Sequence, residues 1–371
     1  MYVVHVDRQC SFTGQIRRGL FEAEALQRAG HRVGLIAHPG SEFARRGRER
    51  GMQVFELPMR GAALYASVLR AARALRGRGV DILHCHGGRD HVLALAVARL
   101  AGVPHVLRTK HNHTLPRGRR SLLVYRACDR VVAVSGFVAD RLVAAGLEPA
   151  RVARIPTAVD VSHFRPRPRD AALAASLGIG AGDLVVGNVS SLHRRKGIED
   201  LLRAFALLRR GPHGERLRGL LVGRQHAQWE PLARELGVAD RVRFPGFRDD
   251  VAALLPLFDV YALPSHHEAL GTGALEAMAA GCALVVGDVE GLAEAVAPGT
   301  GLRVPSRDPQ RLADAIASLL ADPARRAALG MAARARAVAE YSDTALADRM
   351  VSLYEEVLQK GGAPADARGR A

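Results

Sequence analysis

The stretch "PSHHEALGTGALEAMAAG" runs from Pro264 to Gly281 and sets two carboxylates, Glu268 and Glu276, around a Gly-Thr-Gly turn. Glu268 falls in a loop after an apolar run, and Glu276 falls on the first turns of a segment with helical spacing. Backbone N–H groups at a helix start have no carbonyl one turn earlier to take them, so they are available to an anion. Gly271, Thr272, Gly273 and Ala274 are placed to present such groups, and the glycines let a diphosphate approach. A carboxylate offers several acceptor sites and no donor, so Glu268 and Glu276 suit hydroxyl groups at two depths of one site, such as those of a sugar and of a ribose. The plainer alternative is a loop glutamate and a glutamate that serves the helix N-terminus.

A cation stands at the corresponding place in an earlier loop. "GNVSSLHRRKGIEDLLRAF" (187–205) puts Arg195 and Lys196 just before a glycine that opens a helix, where an ammonium can cap a phosphate. Lys110, Lys196 and Lys360 are the only lysines among 53 basic residues, so a lysine kept against that bias points to a wanted ammonium. Of fifteen histidines, His84, His86, His91, His105, His111 and His113 crowd into one short region. His84 and His86 lie two apart on a strand and share a face, a spacing that metal sites use. No matching set of carboxylates or thiolates stands near them in the sequence, and no metal is expected. Histidines also serve phosphates and sugar hydroxyls without an ion.

The net charge of +16 raises the question of a polyanionic partner, against the alternative that arginine fills solvated faces through coding preference. Nucleic acid is not expected: aromatic residues are 5% of the chain, too few for a stacking platform, and no recognition motif occurs. The basic stretch "HNHTLPRGRRSLLVYR" (111–126), with Arg117 at its centre, is a place where an acceptor or an anionic membrane surface could be met. No apolar run approaches the ~20 residues of a membrane span, and the start "MYVVHVDRQC" lacks the marks of a leader. The expected location is cytoplasmic, with the inner face of a membrane as a docking place. Cys10, Cys85, Cys128 and Cys282 are dispersed and read as buried free thiols.

These residues need a scaffold, and the chain supplies a repeating one. Short Val/Ile/Leu-rich runs at 2–6, 32–37, 80–86, 104–109 and 130–135 alternate with amphipathic stretches such as 14–30 and 90–102. This pattern predicts a doubly wound α/β unit. It weakens over 161–183, rich in Pro and Gly, and restarts with runs at 184–190, 217–223, 241–246, 260–265, 283–288 and 301–305. Two α/β domains in tandem are expected, with ligands taken at the C-terminal ends of the strands in a cleft between them. The stretch 322–360 reads as helical.

The ordered set "RKG", "VRFPG", "PSHHEALGTGALEAMAAG" and "EGLAE" resembles the C-terminal half of the retaining glycosyltransferases of family 4, which have the GT-B fold. "FTGQIRRGLFEAEALQRAGHRV" (12–33), "DILHCHG" (81–87), "LRTKHN" (107–112), "CDRVVAVSGFVADRL" (128–142) and "RIPTAVDVSHFRPR" (154–167) resemble its N-terminal half. The resemblance spans roughly residues 2 to 360. It implies two Rossmann-like domains: 1–165 for the acceptor, a linker at 166–182, and 183–340 for the nucleotide sugar. A helix at 341–360 would cross back to the first domain, before a disordered tail at 361–371. It implies that Glu268 touches the donor sugar, Glu276 the ribose and Lys196 the leaving diphosphate, with Arg195 beside it. Gly14 would meet the diphosphate from the other domain, and His111 would stand near the donor sugar and the attacking hydroxyl. His84, His86, His113 and Arg117 are the candidate acceptor-binding residues.

Four segments depart from the family's pattern: Ser191 stands for its usual arginine, "PTAVD" for "PNGVD", Thr13-Gly14 for a double glycine, and "EGLAE" carries Glu290 before a single glycine. The implied reaction moves a sugar, with retention, from a nucleotide-sugar donor to a glycan or lipid-linked acceptor. No cofactor is needed and no metal, since fixed cations and dipoles hold the leaving charge. The "RTKHN" and "EALGTG" segments look like those of envelope heptosyl- and hexosyltransferases, which suggests cell-envelope polysaccharide or lipopolysaccharide synthesis. A nucleotide-sugar epimerase on the same fold, or a binding protein that has lost turnover, are the competing readings.

Overall fold

The computed structural model describes residues 1–11, 13–59, 61, 63–87, 90–112, 114 and 118–361. The chain divides into two compact units, Met1–Ala158 with Asp343 onward, and Val159–Ser342. The boundary therefore falls between Ala158 and Val159. The stretch 166–182 is not a free linker: helix Ala171–Ser176 lies in it, and Ala174 and Ile179 join Phe164 in the core of the second unit. Proline and glycine punctuate that stretch, but its apolar side chains find a core to enter. The tail from residue 362 lies outside the described residues.

Among the described residues, the first unit holds seven strands: β1 (Tyr2–Asp7), β2 (Arg32–Ala37), β3 (Gln53–Glu56), β4 (Ile82–Cys85), β5 (His105–Lys110), β6 (Arg130–Ala133) and β7 (Val152–Arg154). All pair in parallel, in the order β3-β2-β1-β4-β5-β6-β7. β3 and β7 are short and half-buried edge strands, which is why no clean apolar run marks them. Side chains alternate across the sheet, and each face has its own core. Tyr2, Val4 and Val6 of β1 join helices Ala63–Leu75 and Asp90–Ala101 on one face. Val3, Ile82 and Leu107 join helices Gly14–Arg28 and Asp343–Gly361 on the other, through Ile16, Leu20, Leu346, Met350 and Leu353. Register then carries His5, His84 and His86 to that second face.

The second unit repeats the plan with β8 (Leu184–Val189), β9 (Leu217–Val222), β10 (Val242–Arg243), β11 (Val260–Leu263), β12 (Leu284–Gly287) and β13 (Leu302–Val304). Their order is β10-β9-β8-β11-β12-β13, again all parallel. Tyr261, Leu263, Leu284 and Val286 face one core, and Val260, Ala262 and Val285 the other. In both sheets the winding reverses beside the first strand, between β1 and β4 and between β8 and β11. Loops leaving such a pair diverge and open a crevice at the strands' C-terminal ends. The expected helical stretch 322–360 is broken at Ser342, where Pro323–Tyr341 closes the second unit and Asp343–Gly361 opens the return to the first.

Candidate active site

The loops after β8 and β11 carry the residues singled out around the Gly-Thr-Gly turn. Lys196 ends a short 3-10 turn (Arg194–Lys196) after β8, and Glu268 lies in the loop after β11. The Lys196 ammonium donates to Glu268 Oε2, and both side chains are about one-seventh exposed, at 13% and 15%. The pair therefore sits at the reversal point of the second sheet. Gly197 makes the approach feasible: its φ is 67°, and a Cβ there would stand 1.9 Å from the Pro264 carbonyl oxygen. His266 N–H donates to the Arg195 carbonyl at 2.8 Å and His266 Nε2 lies 2.6 Å from Asp200 Oδ2, so the two loops are laced together. The Arg195 side chain itself is exposed.

Helix Thr272–Ala279 begins just beyond. Its N-cap is Gly271 at φ 88°, which offers no side chain to the helix start, and a Cβ there would meet Leu292 Cδ2 at 2.5 Å. Ala274 and Leu275 N–H return to the Gly271 carbonyl, while by helix geometry those of Thr272 and Gly273 point outward. Glu276 lies one turn in and is buried. Burial raises the Tyr261 phenol well above its ordinary value, and the Glu276 charge adds to this; the phenol donates to the Val189 carbonyl at 3.0 Å and props the helix start against β8. Glu290 supports the Glu268 loop by accepting from Glu268 N–H at 3.4 Å and facing His267 Nδ1 at 3.2 Å.

Sequence reasoning passed over Leu192, which holds a left-handed backbone at φ 54° while fully buried. Its carbonyl accepts from Trp229 Nε1 at 2.6 Å, a clamp that a pattern search does not see. Such a conformation costs on the order of 1–3 kcal/mol and persists where the surroundings impose it. Ser191, the departure from the family pattern, is exposed beside it.

At the reversal point of the first sheet the residues are more deeply buried. Asp7, the last residue of β1, accepts from Gln15 Nε2 at 2.7 Å and Gln9 N–H at 2.8 Å; burial raises its carboxyl to about 6. Asp90 is ion-paired with Arg8 at 3.3 Å, yet burial and then the Asp7 charge raise it to about 7. Lys110 closes β5, donates to Asn112 Oδ1 at 2.7 Å, and is lowered to about 8 by burial and Arg108. Gly14 opens helix Gly14–Arg28 at the surface, after Thr13, whose hydroxyl caps it. The signal for Asp7 was its place at a strand end next to the reversal; nothing local marked Asp90.

His111 follows β5, half-buried, with Nε2 3.4 Å from His86 Nδ1; burial holds its imidazole well below the ordinary value, so it is neutral at pH 7. His84 and His86 do share a face, with ring centroids 4.6 Å apart. They are not surface groups open to an acceptor, however: both are buried under helices Gly14–Arg28 and Asp343–Gly361, because β4 is an interior strand. The premise that no carboxylate lies near them is also corrected. Glu22, from helix Gly14–Arg28, stands with Oε2 3.6 Å from His84 Nδ1 and 3.8 Å from His86 Nε2. His113 and Arg117 lie outside the described residues. Cys85, Cys128 and Cys282 are buried free thiols, whereas Cys10 is exposed.

Comparison with known proteins bears on the family and the fold. Residues 170–336 match the family described as "Glycosyl transferases group 1", and residues 20–163 match "Glycosyltransferase Family 4". A D-inositol 3-phosphate glycosyltransferase of Corynebacterium urealyticum is 32% identical over 334 residues, covering 83% of this chain and 78% of that one. A glycosyltransferase structure from Rickettsia africae superposes with a TM-score of 0.84 at 18% identity, over 96% of this chain and 98% of its own. HepE of Anabaena, solved with UDP-glucose, gives 0.81 at 22% identity, over 96% of this chain and all of its own. Two Rossmann-like sheets of one strand order, with these matches, define a glycosyltransferase of the GT-B fold. The chain belongs to glycosyltransferase family 4.

Proposed function

We propose that the protein transfers a sugar, with retention of configuration, from a nucleoside diphosphate sugar to a polyhydroxylated acceptor. The observation that carries this reading is the Lys196–Glu268 pair beside the open helix start at Thr272 and Gly273. In it, the diphosphate lies across that helix start and takes hydrogen bonds from Lys196 and Arg195. Glu268, released from Lys196, faces hydroxyls of the donor sugar, and Glu276 takes the ribose. The bond from the anomeric carbon to the diphosphate oxygen loosens first. The acceptor hydroxyl then attacks from the face that the diphosphate leaves, and the departing phosphate oxygen takes its proton. His111, neutral and held by His86, orients the hydroxyls. Negative charge develops on the leaving group, and each well-placed donor to it contributes about 3 kcal/mol. In this reading the fixed cations do the work, and no catalytic metal is needed.

For the donor, the Anabaena neighbour solved with UDP-glucose supports a uridine nucleotide. For the acceptor we hold to a lipid-linked or envelope glycan: Leu123 is exposed on helix Gly118–Arg126, within the basic stretch 111–126, and supports docking on an anionic surface. A second reading, a soluble phosphorylated polyol, is favoured by the name of the Corynebacterium relative.

A screen of UDP-, GDP-, ADP- and CMP-sugars, with and without EDTA, tests the donor by thermal shift and slow hydrolysis. One nucleotide sugar should stabilise the protein and release its diphosphate, and Glu276→Ala should lose both effects. Binding by none would leave a protein without turnover. Transfer to inositol phosphate but not to glycolipid in anionic vesicles would replace the envelope reading with the second one.

A further inference from the structure

His5, Glu22, His84 and His86 form a second cluster of chemistry-bearing groups, buried in the first unit and none of them assigned to touch the donor. Each offers one ligand atom, and the four atoms lie within 4.8 Å of one another. His5 Nδ1 is 2.9 Å from His86 Nε2, and Glu22 Oε2 is 3.6 and 3.8 Å from His84 Nδ1 and His86 Nε2. Bonds of 2.0–2.1 Å to a tetrahedral zinc ion put neighbouring ligand atoms about 3.3 Å apart, within the range of these separations. We propose that these four residues form a closed site for one divalent transition-metal ion of the zinc kind.

The surroundings of the ligands argue for this. Ligating groups are usually held from behind, by a hydrogen bond at the atom that does not touch the ion. The Arg18 guanidinium holds Glu22 Oε1 at 2.6 Å, and is itself tied to the Ile155 carbonyl at 2.9 Å. Thr109 Oγ1 holds His84 Nε2 at 2.8 Å, and His111 lies 3.4 Å from His86 Nδ1. Glu22 Oε2, the oxygen that faces His84 and His86, is buried with no hydrogen-bond partner among the described residues. A buried carboxylate oxygen left without a donor is costly, and a cation removes that cost. Three imidazoles and one carboxylate suit zinc or cobalt better than magnesium or calcium, which prefer all-oxygen sites.

The ligands come from β1, β4, the residue just after β4 and helix Gly14–Arg28, so the ion would clamp that helix onto the centre of the sheet. Four protein ligands leave no open position, which makes the role structural. Tyr354 Oη lies 2.5 Å from His84 Nδ1, so on metal binding it turns aside or joins as a fifth ligand.

The test uses the full chain, stripped by dialysis against a chelator and titrated with zinc alone and then cobalt alone. One equivalent of either should bind and raise the melting temperature, and X-ray absorption should show three imidazoles and no sulfur. Glu22→Gln should lose more than the roughly 10–100-fold that a change in a merely supporting group costs. Tyr354→Phe, which frees His84 Nδ1, should keep the site, and Cys10→Ser should leave it unaltered. Should Glu22→Gln fail to fold, the X-ray absorption of the wild type decides. The proposal is overturned if the wild type takes up no stoichiometric metal, if the metal has sulfur or fewer than three imidazole ligands, or if Glu22→Gln binds as well as the wild type.

Discussion

The reversal points of the two sheets use the same topology for different ends. In the second unit, Lys196, Glu268 and the helix start at Thr272 stand on loops, partly exposed, with glycines wherever the backbone must come close. In the first unit, Asp7, His5, His84, His86 and Glu22 are almost wholly buried, the last four against one another and Asp7 against Gln9 and Gln15. In the proposed reaction, the first arrangement serves a ligand that arrives and leaves. The second fixes geometry, and desolvation dominates its titration. A substitution at the first should change turnover with little change in stability, and at the second the reverse.

The largest effect should come from Lys196→Ala, which removes the cation that the proposed reaction sets at the leaving diphosphate. Turnover is expected to fall about 10²–10³-fold, while the melting temperature stays within a degree or two of wild type. A comparable loss of stability would break the contrast. Next, Glu276→Gln should raise the donor KM about 10–100-fold with a smaller change in kcat, as for one hydrogen bond to a charged group. Donor titration by calorimetry checks this.

Gly197→Ala sharpens the comparison by placing a Cβ against the Pro264 carbonyl at a left-handed position. It should cost about 1–3 kcal/mol in urea unfolding of the second unit and also impair donor binding. An unaltered protein would show that the two loops are not held as tightly as their hydrogen bonds indicate.

In the first unit, Asp90 has a folded-state value of about 7, above its ordinary 3.8. The folded protein then holds more protons than the unfolded chain between those values, so stability falls as pH rises through them. Asp90→Asn should therefore raise the melting temperature at pH 8, offset in part by the lost Arg8 pair. The gain should shrink steadily below pH 7 and vanish by about pH 3, where both states are protonated. A gain that persists in acid would mean that charge burial is not the cause. The smallest change should be Arg203→Ala, which breaks the exposed helical pair with Glu199 and should cost less than about 0.5 kcal/mol.

The second unit was the more legible in sequence, because its chemistry comes from contiguous segments. "RKG" and "EALGTGALE" each carry their cation or carboxylates beside the glycines that shape the loop, so type and spacing could be read together. The strands of both sheets were equally legible where they were interior and apolar. The edge strands Gln53–Glu56 and Val152–Arg154 were not, since half-buried strands carry no continuous apolar run.

The alternation of apolar runs and amphipathic helices by itself determined two doubly wound units and placed the loops of Lys196 and Glu268 at strand ends. It also put His84 and His86 on one face, since side chains two apart on a strand must point alike. Only the tertiary structure decided that this face is interior, and that Glu22 and Tyr354 meet it from 62 and 270 positions away along the chain from His84. The reason is physical. Periodicity states which way a side chain points relative to its own element, but which helix packs over that face is settled by closure of the whole core.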